Sequence, residues 1–215
     1  HPTRKVQGTV QLTGSKFESN HGLIIEALSE GMVRVENVSE AADTVIMQEA
    51  LRKAAQPSST YQVIDIGPAG TAMRFLTSYL NLVKGNFILT GTERMQQRPI
   101  GILVDALKSI GADVHYEKKT GFPPLKIEGG LFQSKDTISI PGNISSQYLS
   151  SLLLIAPALK KGLTLAITGD LTSKPYVLMT LSMLQEAGIP HQWEDNNIRI
   201  AKHDYAPATL YIEPD

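Results

Sequence analysis

Cysteine is absent from the 215 residues. That one absence excludes a disulfide framework, a thiolate metal site and a cysteine nucleophile, and it fits a reducing, cytoplasmic compartment. Net charge is also scarce, with 20 Lys and Arg against 21 Asp and Glu for a formal balance of -1. No Lys/Arg-rich block occurs, so nucleic acid held by bulk electrostatics is not expected and any anion site must be local. Long hydrophobic runs are missing too. The longest, "YLSSLLLIAPAL", is broken by Ser150 and Ser151 and falls short of a bilayer span. The chain opens "HPTRKVQG", without Met and without a signal-peptide core, so we expect a processed or truncated, soluble, cytoplasmic protein with no membrane association. His1, His21, His115, His191 and His203 show no metal-ligand spacing, and neither a Ser-His-Asp arrangement nor another evident general acid or base can be argued from the residues.

What the sequence does have is periodicity. Three segments, "GLIIEAL" from Gly22, "GTAMRFLTSYLNLV" from Gly70 and "SSQYLSSLLLIAPAL" from Ser145, are apolar on every side, which predicts interior helices. Alternating with them, "DTVIMQEALRKAA", "RPIGILVDALKSIG" and "YVLMTLSMLQEAG" carry charge opposite an apolar stripe and predict helices nearer the surface. Glycine-led strands follow: "EGMVRVENV", "KGNFILTGT" and "KGLTLAITGD" after the apolar helices, "IGADVHYE" and "AGIPHQWE" after two of the others. Gly85 and Gly111 are 26 residues apart, as are Gly162 and Gly188, so the chain repeats. The first copy is less regular, with "RKAAQP" where its second glycine would fall. The stretch "KKTGFPPLKIEGGLFQSKDTISIPG" reads as a hairpin-like connection between copies two and three. The expectation is one α/β domain over residues 1–215, with three buried helices at its centre and sheets outside.

Parallel central helices would concentrate their unpaired N–H groups and positive dipole ends on one face, which binds anions without high net charge. Three motifs fall there: "TGSKFESN", "IGPAGTAMR" and "GNISSQ". Ser145 and Ser146 either cap a helix or offer hydroxyls to a phosphate, with Gln147 as a further donor. Gly67 and Gly70 either permit a tight strand-to-helix turn or let backbone amides approach a ligand; the Gly-Lys-Ser/Thr ending of a phosphate loop is absent. Lys16 is an anion ligand or a solvated surface lysine, and Asp43 reads as a helix N-cap. The loop "GTERMQQRP" places Arg94 and Arg98 together, Pro99 fixed behind them, where "GDLTSKPY" stands in the next copy. Arginine in a constrained loop suits a carboxylate or phosphate because its planar fork is bidentate.

Taken in order, "GSKFESN", "GPAGTAMRFL", "TGTERMQQRPIGILVDAL", "FPPLKIEGG", "ISSQYLSSLLLIAPAL" and "GDLTSKPY" resemble the N-terminal half of the 5-enolpyruvylshikimate-3-phosphate synthase family across the whole chain. The resemblance implies an inside-out α/β barrel-type domain of three βαβαββ-like repeats with buried central helices, and transfer of the enolpyruvyl group of phosphoenolpyruvate to shikimate 3-phosphate without metal or organic cofactor. It further implies that Arg98 and Gly70 meet phosphoenolpyruvate, that Lys16 touches both substrates, that Ser145, Ser146 and Ser173 hold the phosphate of shikimate 3-phosphate, and that Gln147 lies against its ring. Tyr176, Arg74 and Arg94 would line the same cleft, and Phe17 and His21 stand at further substrate-binding positions. Three residues depart from the family pattern: Phe17 stands where serine is usual, His21 where an arginine reaches shikimate 3-phosphate, and Pro68 where asparagine is common. The catalytic carboxylates are implied for a second domain absent from this chain, which would be inactive alone. Two alternatives stay open, the related transferase acting on UDP-N-acetylglucosamine and a non-catalytic anion-binding domain of the same fold.

Overall fold

A helix that is apolar on every side has no face to offer water, and such helices lie inside. The computed structural model describes Gly8 and residues 12–214; His1 and the rest of the opening segment lie outside the described residues. Helix α3 (Gly70–Tyr79) is buried along its whole length, α5 (Ser146–Ile155) from Tyr148 onward, and α1 (Lys16–Leu28) from Ser19 to Ile25. Helices α2 (Ala42–Ala54), α4 (Gly101–Ser109) and α6 (Lys174–Glu186) each bury one stripe, as their amphipathic spacing predicts.

Side-chain pairs fix the relative direction of the inner helices. The His21 ring lies 4.7 Å from that of Phe75, joining the second turns of α1 and α3. Gln147 Nε2 donates to Thr71 Oγ1 at 3.0 Å at the starts of α5 and α3, and Ser78 Oγ donates to Ser151 Oγ at 3.0 Å further along both. Helices α3 and α5 therefore run parallel, with α1 beside α3. Other contacts bring more helix starts to the same end: Lys16 to Asp43 of α2 at 3.4 Å, Phe17 to Tyr176 of α6 at 5.2 Å between ring centroids, and Tyr148 Oη to the Pro99 carbonyl, just ahead of α4, at 2.7 Å. The buried serines that interrupt the apolar run serve this packing. Small side chains allow close approach, and Ser150 with Thr180 (2.7 Å) and Ser151 with Ser78 satisfy each other's hydroxyls between helices.

The strands among the described residues are β1 (Val33–Glu36), β2 (Gln62–Asp65), β3 (Asn86–Thr90), β4 (Asp113–Tyr116), β5 (Leu125–Glu128), β6 (Thr137–Pro141), β7 (Leu163–Thr168), β8 (Gln192–Glu194), β9 (Asn197–Ile200) and β10 (Ala208–Tyr211). They form three sheets, ordered β1-β10, β2-β3-β5-β4 and β6-β7-β9-β8. The two four-stranded sheets match pair for pair: the first two strands are parallel, and the hairpin that follows adds antiparallel to the second. Alternate residues point inward, buried in β3 at Phe87 and Leu89 and in β7 at Leu163, Leu165 and Ile167. Gly111 and Gly188, one 26-residue interval after Gly85 and Gly162, take φ of 109° and 84° at the turn out of the preceding helix, a conformation only glycine adopts without strain.

Several expectations need correction. The stretch between copies two and three is not one hairpin: β5 is the second arm of the hairpin begun by β4, whereas β6 opens the third sheet in parallel with β7. Its two alternating runs, "LKIE" and "TISIP", belong to different sheets. Helix α1 begins six residues before Gly22, at Lys16, so Lys16 and Phe17 are helical and not loop residues. Asp43 is the second residue of α2, behind an Ala41 N-cap, and its carboxylate faces Lys16.

Candidate functional site

At the shared end of the helices, Gly70 opens α3 and leaves room that another residue would fill. A Cβ built there would lie 3.1 Å from the Arg98 guanidinium carbon and 3.2 Å from Arg74 Nη1, so the absence of a side chain admits both cations. Arg74 is buried and donates through Nη1 to the Gly70 carbonyl at 3.0 Å. Burial, and then the charge of Arg98, depress the Arg74 pKa. Among the described residues no carboxylate lies within ion-pair distance of Arg74, Arg94 or Arg98. Like charges brought together without a counter-charge are unfavourable unless an anion arrives. A hollow of about 440 Å³ lies beside them, lined by Pro68, Thr92, Arg94, Met95 and Arg98. Arg94 and Arg98 are both exposed to it, flanking the short 3-10 turn Met95–Gln97 whose buried Met95 anchors the loop.

The second group of residues surrounds the start of α5. Ser145 is the residue before the helix and Ser146 the first within it; Ser145 makes no side-chain cap bond. Both residues sit at the helix start, where the first backbone N–H groups have no partner within the helix. Gln147 is held by Thr71, and Tyr148 by the Pro99 carbonyl, so this group is tied to both α3 and the arginine loop. Thr71 and Tyr148 were not read from the sequence; each lies next to a singled-out residue, but a contact between distant segments leaves no local signal. Ser173 precedes α6, also without a side-chain cap bond, and Tyr176 is half exposed one turn on.

Helix α1 departs most from expectation. Lys16 is exposed and paired with Asp43. The Phe17 ring sits 4.7 Å from that of His21 and 5.2 Å from that of Tyr176. His21 is completely buried, its Nδ1 2.8 Å from the Phe17 carbonyl, and burial pushes its pKa down to about 4 against the weaker pull of that hydrogen bond. A neutral ring enclosed by Phe17 and Phe75 does not reach an incoming phosphate as an imidazolium. The ring is therefore enclosed in this conformation, between α1 and α3. Both side-chain polar atoms of Asn20, equally buried, and His21 Nε2 have no hydrogen-bond partner among the described residues.

Among the described residues, no cluster of His, Cys, Asp or Glu could hold a metal ion, and no helix is long and apolar enough to cross a membrane.

Comparison with known proteins follows the same lines. The model of the EPSP synthase (3-phosphoshikimate 1-carboxyvinyltransferase) family matches residues 1–56 and 53–215. A 3-phosphoshikimate 1-carboxyvinyltransferase of Bacteroides fragilis is 45% identical over 212 residues, covering 98% of this chain and 50% of that protein. Its counterpart in Shewanella loihica is 37% identical over an alignment of 238 positions, covering 100% of this chain and 56% of that protein. The chain spans about half the length of the curated relatives it matches. Among solved structures, EPSP synthase from Acinetobacter baumannii shares the fold with a TM-score of 0.79 at 21% identity, over 95% of this chain and 50% of that one. The enolpyruvyl transferase NikO from Streptomyces tendae does so at 0.64 and 14% identity, over 97% and 52%. Matched by the family model along its length, and carrying the arginine loop and serine-led helix in one mixed α/β frame, the chain belongs to the EPSP synthase family.

Proposed function

We propose that this chain forms one wall of the active site of an enzyme that transfers the enolpyruvyl group of phosphoenolpyruvate to the 5-hydroxyl of shikimate 3-phosphate. In that exchange the shikimate oxygen replaces the phosphate oxygen on the enolpyruvyl carbon, and the hydroxyl proton leaves with the phosphate. Residues 1–215 would make a single half-domain of inside-out α/β barrel type, built from three βαβαββ-like units, with a second domain of the same polypeptide supplying the opposite wall and the catalytic carboxylates. The matching order of the two four-stranded sheets supports that reading.

The convergence of Arg98 and Arg74 on Gly70, without a carboxylate partner among the described residues, carries the assignment. Such a pair suits a ligand with a carboxylate and a phosphate on one carbon, because the guanidinium fork grips either oxyanion in two places. The Arg98 and Gly70 side of the face is assigned to phosphoenolpyruvate, with Arg94 and Lys16 at its margin. Ser145, Ser146, Gln147 and Ser173 are assigned to shikimate 3-phosphate, where hydroxyls and helix N–H groups supply short donors to a dianion. Tyr176 would border the same ligand. Isothermal titration of phosphoenolpyruvate and shikimate 3-phosphate into the whole polypeptide bearing this chain tests the assignment. Saturable binding of both, with phosphate released on mixing, is expected; binding of neither would overturn it.

The aromatic packing of Phe17 on His21 favours a second reading, a domain of this fold that binds anions without turning them over. Phosphate release by the whole polypeptide would exclude it.

A further inference from the structure

Among the described residues the first sheet lacks the hairpin that closes the other two. In those sheets the strand after the inner helix, β3 or β7, has a parallel neighbour on one edge and an antiparallel hairpin strand, β5 or β9, on the other. Among the described residues the corresponding strand β1 has only its parallel neighbour, β10. Between α2 and β2, where the hairpin would fall, residues 55–61 contain no strand. The two segments matched by the family model meet in the same place, at the end of α2, and the Shewanella alignment is longer than this whole chain.

An open edge exposes unpaired N–H and C=O groups and invites pairing with another chain. Which amides of β1 are left open follows from the ladder. Ala208 N–H donates to the Met32 carbonyl and Ile212 N–H to the Glu36 carbonyl, so even-numbered residues of β1 face β10 and the amides of Val33 and Val35 point away. Both of those amides are taken by side chains from the end of α1: Val33 N–H donates to Ser29 Oγ at 3.0 Å and Val35 N–H to Glu26 Oε1 at 3.0 Å. Ser29 Oγ in turn donates to the Glu26 carbonyl at 2.8 Å, which fixes the hydroxyl with its lone pair toward the strand.

We infer that Glu26 and Ser29 stand in for the missing antiparallel strand and hold the open edge of β1 closed against pairing with another chain. A helix end one turn long reaches two successive outward amides: those amides repeat at about 7 Å, residues one turn apart on the helix at about 5 Å, and the longer glutamate side chain spans the difference. The device is independent of any ligand and of the proposed reaction.

The test uses the whole polypeptide bearing this chain, with amide exchange read residue by residue and mass measured by light scattering across concentration. Glu26→Ala should speed exchange at Val35 by ~10-fold or more while leaving the β10-bonded amide of Arg34 unchanged. Glu26→Gln keeps a carbonyl oxygen at the same reach and should restore protection. The double variant Glu26→Ala with Ser29→Ala should gain mass as concentration rises, where the parent does not. Unchanged Val35 exchange in Glu26→Ala would overturn the inference, as would a double variant whose mass tracks that of the parent throughout. If the double variant fails to fold, the single-variant exchange rates decide alone.

Discussion

His21 should make this protein lose stability in weak acid, and the size of the loss follows from its surroundings. The ring is completely buried between Phe17 and Phe75, and its pKa falls from 6.5 to about 4. In the unfolded chain the same histidine takes a proton near its ordinary value. Because the folded pKa is the lower one, the contribution is fully present above pH 6.5 and is lost as pH falls toward about 4, the unfolded state binding the proton first. The slope is about 1.4 kcal/mol per pH unit within that window, so the site removes about 2 kcal/mol between roughly pH 7 and pH 5 and about 3 kcal/mol in all. Against a total of about 5–15 kcal/mol for a typical domain, that is a substantial fraction. Urea unfolding of the parent and of His21→Gln across this range isolates the term, since carboxylates titrate alike in both. The parent should lose about 2 kcal/mol more than the variant. Parallel stability curves, or a His21 ring signal that titrates at the ordinary histidine value in the folded protein, would refute the reasoning.

Other perturbations address the anion face. Arg98→Lys keeps the charge but loses the bidentate fork, and phosphoenolpyruvate affinity measured by titration calorimetry should fall by ~1 to 3 kcal/mol. Gly70→Ala should weaken the same ligand by ~10- to 100-fold while the melting midpoint holds, because the new methyl displaces the Arg98 guanidinium at a position where the helix accepts alanine. The 215-residue chain by itself should release no phosphate from phosphoenolpyruvate and shikimate 3-phosphate above a blank, since closure of both walls is needed to sequester the reaction.

The parts of this fold that obey a local period were legible. The inner and outer helices differ in how far round their apolar residues extend, and that difference survives into the burial of α3 against the single buried stripe of α4. Gly111 and Gly188 were visible because their conformation demands glycine, which turned a structural repeat into a spacing. Strand β10 was not legible: "ATLY" is short, and its partner β1 lies far away in the chain. The same distance hid the edge caps, since Glu26 looks like an ordinary charged helix residue until β1 folds back beside it. The burial of His21 was hidden for a related reason: it depends on neighbours, and Phe17 and Phe75 enclose the ring.

A nearly neutral chain can still hold a strongly charged ligand if its cations are concentrated and left uncompensated, and both conditions meet at Gly70. Helix dipoles alone contribute modestly, about 0.3–1 kcal/mol each at an exposed terminus. Arg74 adds more because it is buried, so its charge is poorly screened by water, and because its hydrogen bond to Gly70 prevents it from turning away from Arg98. The repulsion between the two guanidinium groups is part of the empty protein's free energy and is relieved when a carboxylate or phosphate sits between them. Ligand binding should therefore stabilise the start of α3 and the Pro99 loop together. Because Tyr148 ties that loop to α5, an anion held there should also steady the start of that helix.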